Sequence, residues 1–206
     1  MLVVLTVKSG YSNGSSIDFS HYKLSNDITL NYTVPNEDEV VNDTFVPVSF
    51  SIYLEKGYIG FKEALGFKES QGNYGVVNQF GYMGKYQFGK GTLAMIGIND
   101  HHTFLESSLL QEAAFEANTA RNKWILRKDI KRSVGRYING VRITESGILA
   151  AAHLAGAGNV KKYLRSGGVS QFVDGNGVSI AYYLKKFSGY DTSFIKPDRK
   201  ARVSIL

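Results

Sequence analysis

The chain has 206 residues, 43% of them apolar, and no cysteine. That length can bury a substantial core in one large domain or two small ones, and the lack of cysteine excludes disulfides and thiolate metal sites. The formal charge of +6 is unevenly spread: residues 1–54 carry two lysines and six carboxylates, net −4, and the rest carries 22 basic and 12 acidic side chains, net +10.

In chain order, Leu2 to Val7 is an apolar run too short for a signal-peptide core, with neither a basic start nor a small-residue cleavage site. No other run approaches membrane-spanning length, so neither a membrane span nor an export signal is expected. Residues 28–34 alternate at period two, as a half-buried strand does, and Pro35 ends them. An acidic connector follows over 36–43. Residues 45–53 are again β-prone, with Pro47 suiting an edge strand or extended arm. Two or three strands do not make an independent domain. Residues 1–54 therefore read as an N-terminal arm or partial docking domain that packs on the body, pairs with another copy or joins a larger assembly.

From Lys56 the pattern turns helical, with helices expected near 56–70, 86–97, 103–118, 120–135, 144–156, 159–166 and 178–188. Leu109, Ala113, Phe115 and Glu116 set the face of the third. Thr144 followed by Glu145 marks a helix start, and Asn139-Gly140 a turn before it. The basic run Arg121, Lys123, Arg127, Lys128, Lys131, Arg132 and Arg136 reads as the solvated face of a helix whose Trp124, Ile125 and Ile130 point inward. No internal repeat is visible. The fold class is α+β, mainly α, with one helical domain over 55–206.

Glu69 carries the chemistry. At helical spacing it shares a face with Tyr58, Phe61 and Leu65, which places a carboxyl where the pattern calls for a core residue. Burial of that kind raises a carboxyl pKa and suits a general acid at neutral pH. Gln71-Gly72-Asn73 is turn chemistry, so the helix stops just beyond Glu69 and the carboxyl faces the following loop. That loop is dense in Gly, Tyr and amides, whose flat apolar faces and hydrogen-bonding tips suit sugar rings and N-acetyl groups.

Glu69-Ser70-x-Gly72-Asn73, then Gly81-Tyr82-x-Gly84-Lys85-Tyr86-Gln87, then Thr92, resembles the first two motifs of lytic transglycosylases with the lysozyme-like fold. Their usual form is Glu-Ser-x-Gly-Asn followed by Gly-Ala-x-Gly-Leu-Met-Gln and a Thr. Residues Ala152 to Val160 resemble the third motif, Ala-Tyr-Asn-Ala-Gly-x-Gly-x-Val, and Tyr183 to Phe187 loosely match the fourth, Tyr-Val-x-x-Val. The resemblance covers roughly 56 to 190. Lys85 and Tyr86 replace Leu-Met, which is expected to alter the surface presented to the sugar, and His153 and Leu154 replace Tyr-Asn.

The resemblance implies a lysozyme-like helical catalytic domain that cleaves the β-1,4 bond between N-acetylmuramic acid and N-acetylglucosamine in peptidoglycan. It makes Glu69 the catalytic acid/base and implies a substrate groove of Ser70, Asn78, Tyr86, Gln87, His153, Ala155, Gly156 and Tyr183, with no cofactor and no metal. Two alternatives remain. One is a hydrolytic muramidase using the same acid and a second carboxylate, for which Asp174 is the candidate. The other is a non-catalytic wall-binding or assembly module. The expected partner is the glycan strand rather than nucleic acid, with the site of action at the bacterial wall or periplasm. Without an export signal, the chain would be delivered by a phage tail or secretion machine through residues 1–54, or be a fragment of a larger protein.

Two rival motifs are weaker. Residues 84–91 approximate a phosphate-binding loop, but Gly91 replaces the Ser/Thr that would hold Mg²⁺ and no buried strand precedes it. His101 and His102 are adjacent and so point to different sides of a helix, without acidic partners at ligand spacing.

Overall fold

The computed structural model describes residues 55–203. The β-prone stretches at 28–34 and 45–53, with the rest of the expected 1–54 arm, lie outside the described residues. The described residues are mainly helical. They form α1 (Tyr58–Ser70), α2 (Lys90–Met95), α3 (His101–Glu106), α4 (Ser108–Ser133), β1 (Tyr137–Ile138), β2 (Val141–Arg142), α5 (Glu145–Arg165) and α6 (Ile180–Lys186). No helix among them is long and apolar enough to cross a membrane.

Helix α1 ends where its sequence dictates. Gln71 adopts a left-handed conformation, its N–H donating to Phe67 O at 2.9 Å, while the Gly72 N–H reaches back to Gly66 O at 3.2 Å. That pairing satisfies the last carbonyls of the helix and turns the chain sharply. Glu69 is thereby fixed in the final turn, half-buried at the edge of the core.

Two of the expected boundaries move. The helices expected at 103–118 and 120–135 are divided at Ser107 instead. Its hydroxyl accepts the Leu110 N–H at 3.1 Å, and α4 then runs unbroken for 26 residues. The polar pair Asn118-Thr119 stays inside that helix because Thr119 Oγ1 donates to Phe115 O at 2.7 Å, four residues back. The face also shifts by one residue: Leu109 is 83% exposed and Leu110 only 6%. Helix α2 is shorter than expected, because residues 86–88 are held in a loop by the reciprocal Met83–Phe88 backbone bonds at 2.9 and 2.8 Å.

The helices expected at 144–156 and 159–166 join as α5, with the boundary surviving as a kink. Gly156 has φ 76° and ψ 150°, outside helical space, a conformation that glycine alone adopts cheaply. Thr144 caps α5 through Gly147 N–H. Asn139-Gly140 makes the turn of the antiparallel β1–β2 hairpin, pairing Tyr137 with Arg142 and Ile138 with Val141.

The core is aromatic. Helix α5 packs against α4 and α6, and α1 joins through Phe61, whose ring lies 6.1 Å from Phe115, 6.4 Å from Phe187 and 5.9 Å from Tyr190. Phe61 is almost completely buried, as are Leu126, Ile148, Tyr163 and Leu184. Each such side chain contributes about 1.5–3 kcal/mol of transfer free energy.

The basic run is exposed at Arg127, Lys128, Lys131 and Arg132 on α4 and at Arg136 just beyond it. Ile130 is buried, but Trp124 and Ile125 are only half-buried. Arg127 lies over the Trp124 ring at 3.9 Å. Buried Asp129 accepts from Arg132 and Arg165 at 2.5 and 2.9 Å. Burial works against the charge on Asp129, and the two guanidinium groups overcome it and hold the carboxyl below its ordinary range.

Candidate active site

The end of α1, the 78–87 loop, the middle of α5 and the 174–176 loop enclose a cleft of about 320 Å³. Its lining comprises Glu69, Asn78, Phe80, Tyr82, Gln87, His153, Leu154, Asp174, Gly175 and Asn176. A cleft of this size, with aromatic rings and a few convergent polar groups, falls within the range of small-ligand sites.

Glu69 is held from α6. The Tyr183 hydroxyl donates to Glu69 Oε1 at 2.5 Å, across 114 residues of sequence. Tyr183 is 2% exposed, and burial, then the negative charge of Glu69, pushes its phenol well above the usual tyrosine range. Tyr183 thus stays protonated and serves as a fixed donor to the carboxylate. One carboxylate oxygen is oriented by this bond.

The polar residues of the cleft are braced by their own loops. Asn78 Oδ1 accepts the N–H groups of Phe80 and Tyr82 at 2.9 and 3.0 Å, so contact with a ligand falls to its amide nitrogen. Gln87 Nε2 donates to Gly84 O at 2.8 Å, which leaves Oε1 as its acceptor. Gln87 also has φ 50°, a left-handed conformation at a non-glycine residue, which marks a tightly determined turn. His153 Nε2 lies 2.7 Å from Tyr86 O. A carbonyl only accepts, so this nitrogen carries the proton, and the buried Nδ1 has no hydrogen-bond partner among the described residues.

Asp174 shares the cleft with Glu69. Its Oδ1 accepts the N–H groups of Asn176 and Val178 at 3.0 and 2.7 Å and shapes the loop. Its second oxygen is free of that work.

Other expected site residues lie elsewhere. Tyr86 is fully buried, its ring stacked on Phe115 at 4.3 Å and its hydroxyl bonded to both oxygens of Glu112 at 3.0 and 2.9 Å. It therefore contributes to the groove only through the carbonyl that accepts from His153. Ser70 Oγ donates to Lys85 O at 2.8 Å and ties α1 to the loop. Ala155 and Gly156 do not line the cleft.

Lys85 does not alter the groove surface as expected. It is 3% exposed and points away into the body, where Nζ contacts Glu63 Oε1 at 2.7 Å, Glu112 Oε1 at 2.9 Å and Tyr74 OH at 3.1 Å. Lys62 adds a second cation on Glu112 Oε2 at 2.7 Å. Burial opposes the charge on Glu112, and hydrogen bonds from Lys62, Lys85 and Tyr74 overcome it, holding the carboxyl down at about 2. The same carboxylates raise Lys85 above the ordinary lysine range against the burial that would lower it. Gln111, also buried, completes the support by accepting the Lys85 N–H at 2.8 Å and donating to Tyr74 O and Phe104 O, both at 2.9 Å. Gly84 backs directly onto it: a Cβ there would stand 2.1 Å from Gln111 Oε1.

The expected site residues did not include Phe80, Tyr82, Leu154, Gly175 or Asn176, which line the cleft, nor this ionic cluster. Phe80 had a signal, since a phenylalanine between turn residues has little local reason to be buried, and it is 54% exposed. The cluster had none, because Lys85 meets partners 22 and 27 residues away.

No family model, curated protein or solved structure matches the chain.

Proposed function

We propose that the chain is a peptidoglycan-cleaving glycosidase of the lysozyme-like class, with Glu69 as its general acid/base. The observation that carries this reading is the Glu69 carboxyl at the rim of an aromatic and amide-lined cleft, with Oε1 bonded to Tyr183 at 2.5 Å. The motif resemblance and the basic charge of residues 55–206 favour an anionic glycan as substrate.

In this reading the enzyme is a lytic transglycosylase. Protonated Glu69 donates to the glycosidic oxygen as the bond from the muramoyl anomeric carbon breaks. The resulting carboxylate takes the proton of the C6 hydroxyl of the same sugar, whose oxygen closes on the anomeric carbon. A 1,6-anhydro ring forms and no water is consumed. One carboxyl suffices, and holding the C6 hydroxyl near the reacting carbon gives the internal nucleophile its advantage over water. Phe80 and Tyr82 offer faces for sugar rings, and Asn78 and Gln87 offer an amide donor and acceptor for N-acetyl groups.

A second reading has a specific observation in its favour: Asp174 lines the same cleft as Glu69. Hydrolysis would use it as a base for water or as a nucleophile. Mass spectrometry of products released from purified sacculi separates the two. Transglycosylation predicts 1,6-anhydromuramic ends, lighter by one water than reducing ends, with Asp174→Asn losing less than about threefold in rate, as expected of a group outside the proton transfers. Exclusively reducing ends, together with an inactive Asp174→Asn protein, would establish hydrolysis instead. Absence of any cleavage would leave the wall-binding module.

The opposite net charge of residues 1–54 suits attachment to a carrier such as a phage tail or secretion assembly rather than contact with an anionic wall. Deleting residues 1–50 should then preserve specific activity on soluble glycan fragments, with folding followed by circular dichroism. Loss of that activity in a folded truncated protein would remove the attachment role.

A further inference from the structure

Beside the cleft stands a second constellation that the proton-transfer chemistry does not use. The Tyr182 ring is 45% exposed. Lys68 Nζ lies 5.9 Å and Lys186 Nζ 5.7 Å from its centroid, and Lys186 Nζ is 3.4 Å from its hydroxyl. The cluster is bound to the acid on both sides. Lys68 precedes Glu69 on α1, Tyr182 precedes Tyr183 on α6, and Glu69 and Tyr183 are bonded to each other. The Tyr182 and Tyr183 rings are 6.0 Å apart.

Lys62 and Lys85 are paired with Glu112, and Lys123 with Glu145. Lys68 and Lys186 form no ion pair among the described residues. Each ammonium group stands within 6 Å of the centre of one exposed ring, so an anion that reaches that ring gains from a nearby positive charge. The ring offers a flat face for sugar C–H groups, and its hydroxyl adds a hydrogen-bonding tip. The cleft itself holds the carboxylates of Glu69 and Asp174.

We propose that Lys68, Tyr182 and Lys186 form an anion subsite on the rim of the Glu69 cleft, which takes a carboxylate carried by a substituent of the bound sugar strand. The inference rests on the glycan-cleaving reading above and adds the charge of the substituent to it. Such a carboxylate has two sources, the lactyl group of muramic acid once its peptide is removed, or the peptide stem itself.

The test measures binding by isothermal titration calorimetry to the full chain carrying Glu69→Gln, so that cleavage does not interfere. The ligands are a neutral N-acetylglucosamine oligomer, amidase-stripped glycan strands with free lactyl carboxylates, and soluble strands with intact stems. Adding Lys68→Ala and Lys186→Ala should weaken binding of anionic strands about tenfold, the sum of two exposed charge contacts, and of the neutral oligomer by less than about twofold. Lys68→Arg with Lys186→Arg should restore the affinity. A loss on stripped strands assigns the site to the lactyl carboxylate, and a loss confined to stem-bearing strands assigns it to the peptide. An equal loss on all three ligands, or none on either anionic one, overturns the subsite while leaving the glycan reading in place. A parent protein that binds none of the three overturns both.

Discussion

Glu69 and Glu112 are carboxylates of one protein in opposite surroundings, one at the rim of the cleft and the other in the ionic cluster beneath it. Glu69 receives one fixed hydrogen bond, from a buried tyrosine, and keeps its other side toward the cleft. Glu112 is surrounded by Lys62, Lys85, Tyr74 and Tyr86. A saturated carboxylate stabilises the fold but has no capacity left to exchange a proton with a ligand. A carboxylate oriented by a single donor retains that capacity. The tyrosines repeat the contrast, since the Tyr86 hydroxyl serves the structural cluster and the Tyr183 hydroxyl serves the candidate acid.

Substitutions can break this division on either side. The largest effect is expected at Glu69→Gln, which preserves shape but removes the exchangeable proton. Cleavage of purified peptidoglycan should fall at least a hundredfold, the low end for loss of a general acid, with a melting temperature close to the parent. Undiminished turbidity clearance by the folded variant would sink the assignment.

Lys85→Met should do the reverse. It leaves Glu63 and Tyr74 without their cation and Glu112 with only Lys62, at an expected cost of about 3–5 kcal/mol of stability. Urea denaturation reads this directly. At low temperature, kcat per folded molecule should change far less than in the Glu69 variant, and a kcat loss as deep as that of Glu69→Gln would show the cluster to be part of the chemistry.

Acid sharpens the comparison. The Glu112 carboxyl is depressed in the folded protein from 4.5 to about 2. Its stabilisation is therefore fully present above the unfolded value and is lost as pH falls from about 4.5 through about 2. The difference corresponds to about 3 kcal/mol, shared with its lysine partners. Melting temperatures followed over that window should fall steeply in the parent and much less in Glu112→Gln, whose baseline is already lower. Parallel curves would remove Glu112 as the group responsible.

Tyr183→Phe is expected to be the mildest. Losing the hydroxyl frees Glu69 to rotate without removing its proton, so kcat should drop about tenfold, near the value of one hydrogen bond to a charged group. KM should stay nearly constant, because the phenol lies beneath the carboxyl rather than on the cleft wall. A KM change without a kcat change would make Tyr183 a binding residue instead.

Much of the scaffold was legible in residue order. Gln71-Gly72 ended α1, Thr144 opened α5 and Asn139-Gly140 turned the hairpin, because caps and turns depend on neighbours within a few residues. Glu69 stood out for the same local reason, as a carboxyl at a core position beside a glycine-rich loop. The division of α3 from α4 was misplaced because a serine cap and a threonine back-bond are both local polar signals, and only packing decides between them.

What the sequence determined by itself was therefore the helical character of residues 56–188, the end of α1 and the carboxyl placed there. The tertiary structure alone decided which side chains of the 81–89 loop face the cleft. A loop pinned by Met83–Phe88 backbone bonds has no helical or strand period, so Lys85 and Tyr86 turn inward and Gln87 outward without any pattern to announce it. The tertiary structure also brought Tyr183 to Glu69 and Lys85 to Glu112. Contacts across 114 and 27 residues depend on how helices pack, and packing is set by the shape of the whole aromatic core rather than by any one segment.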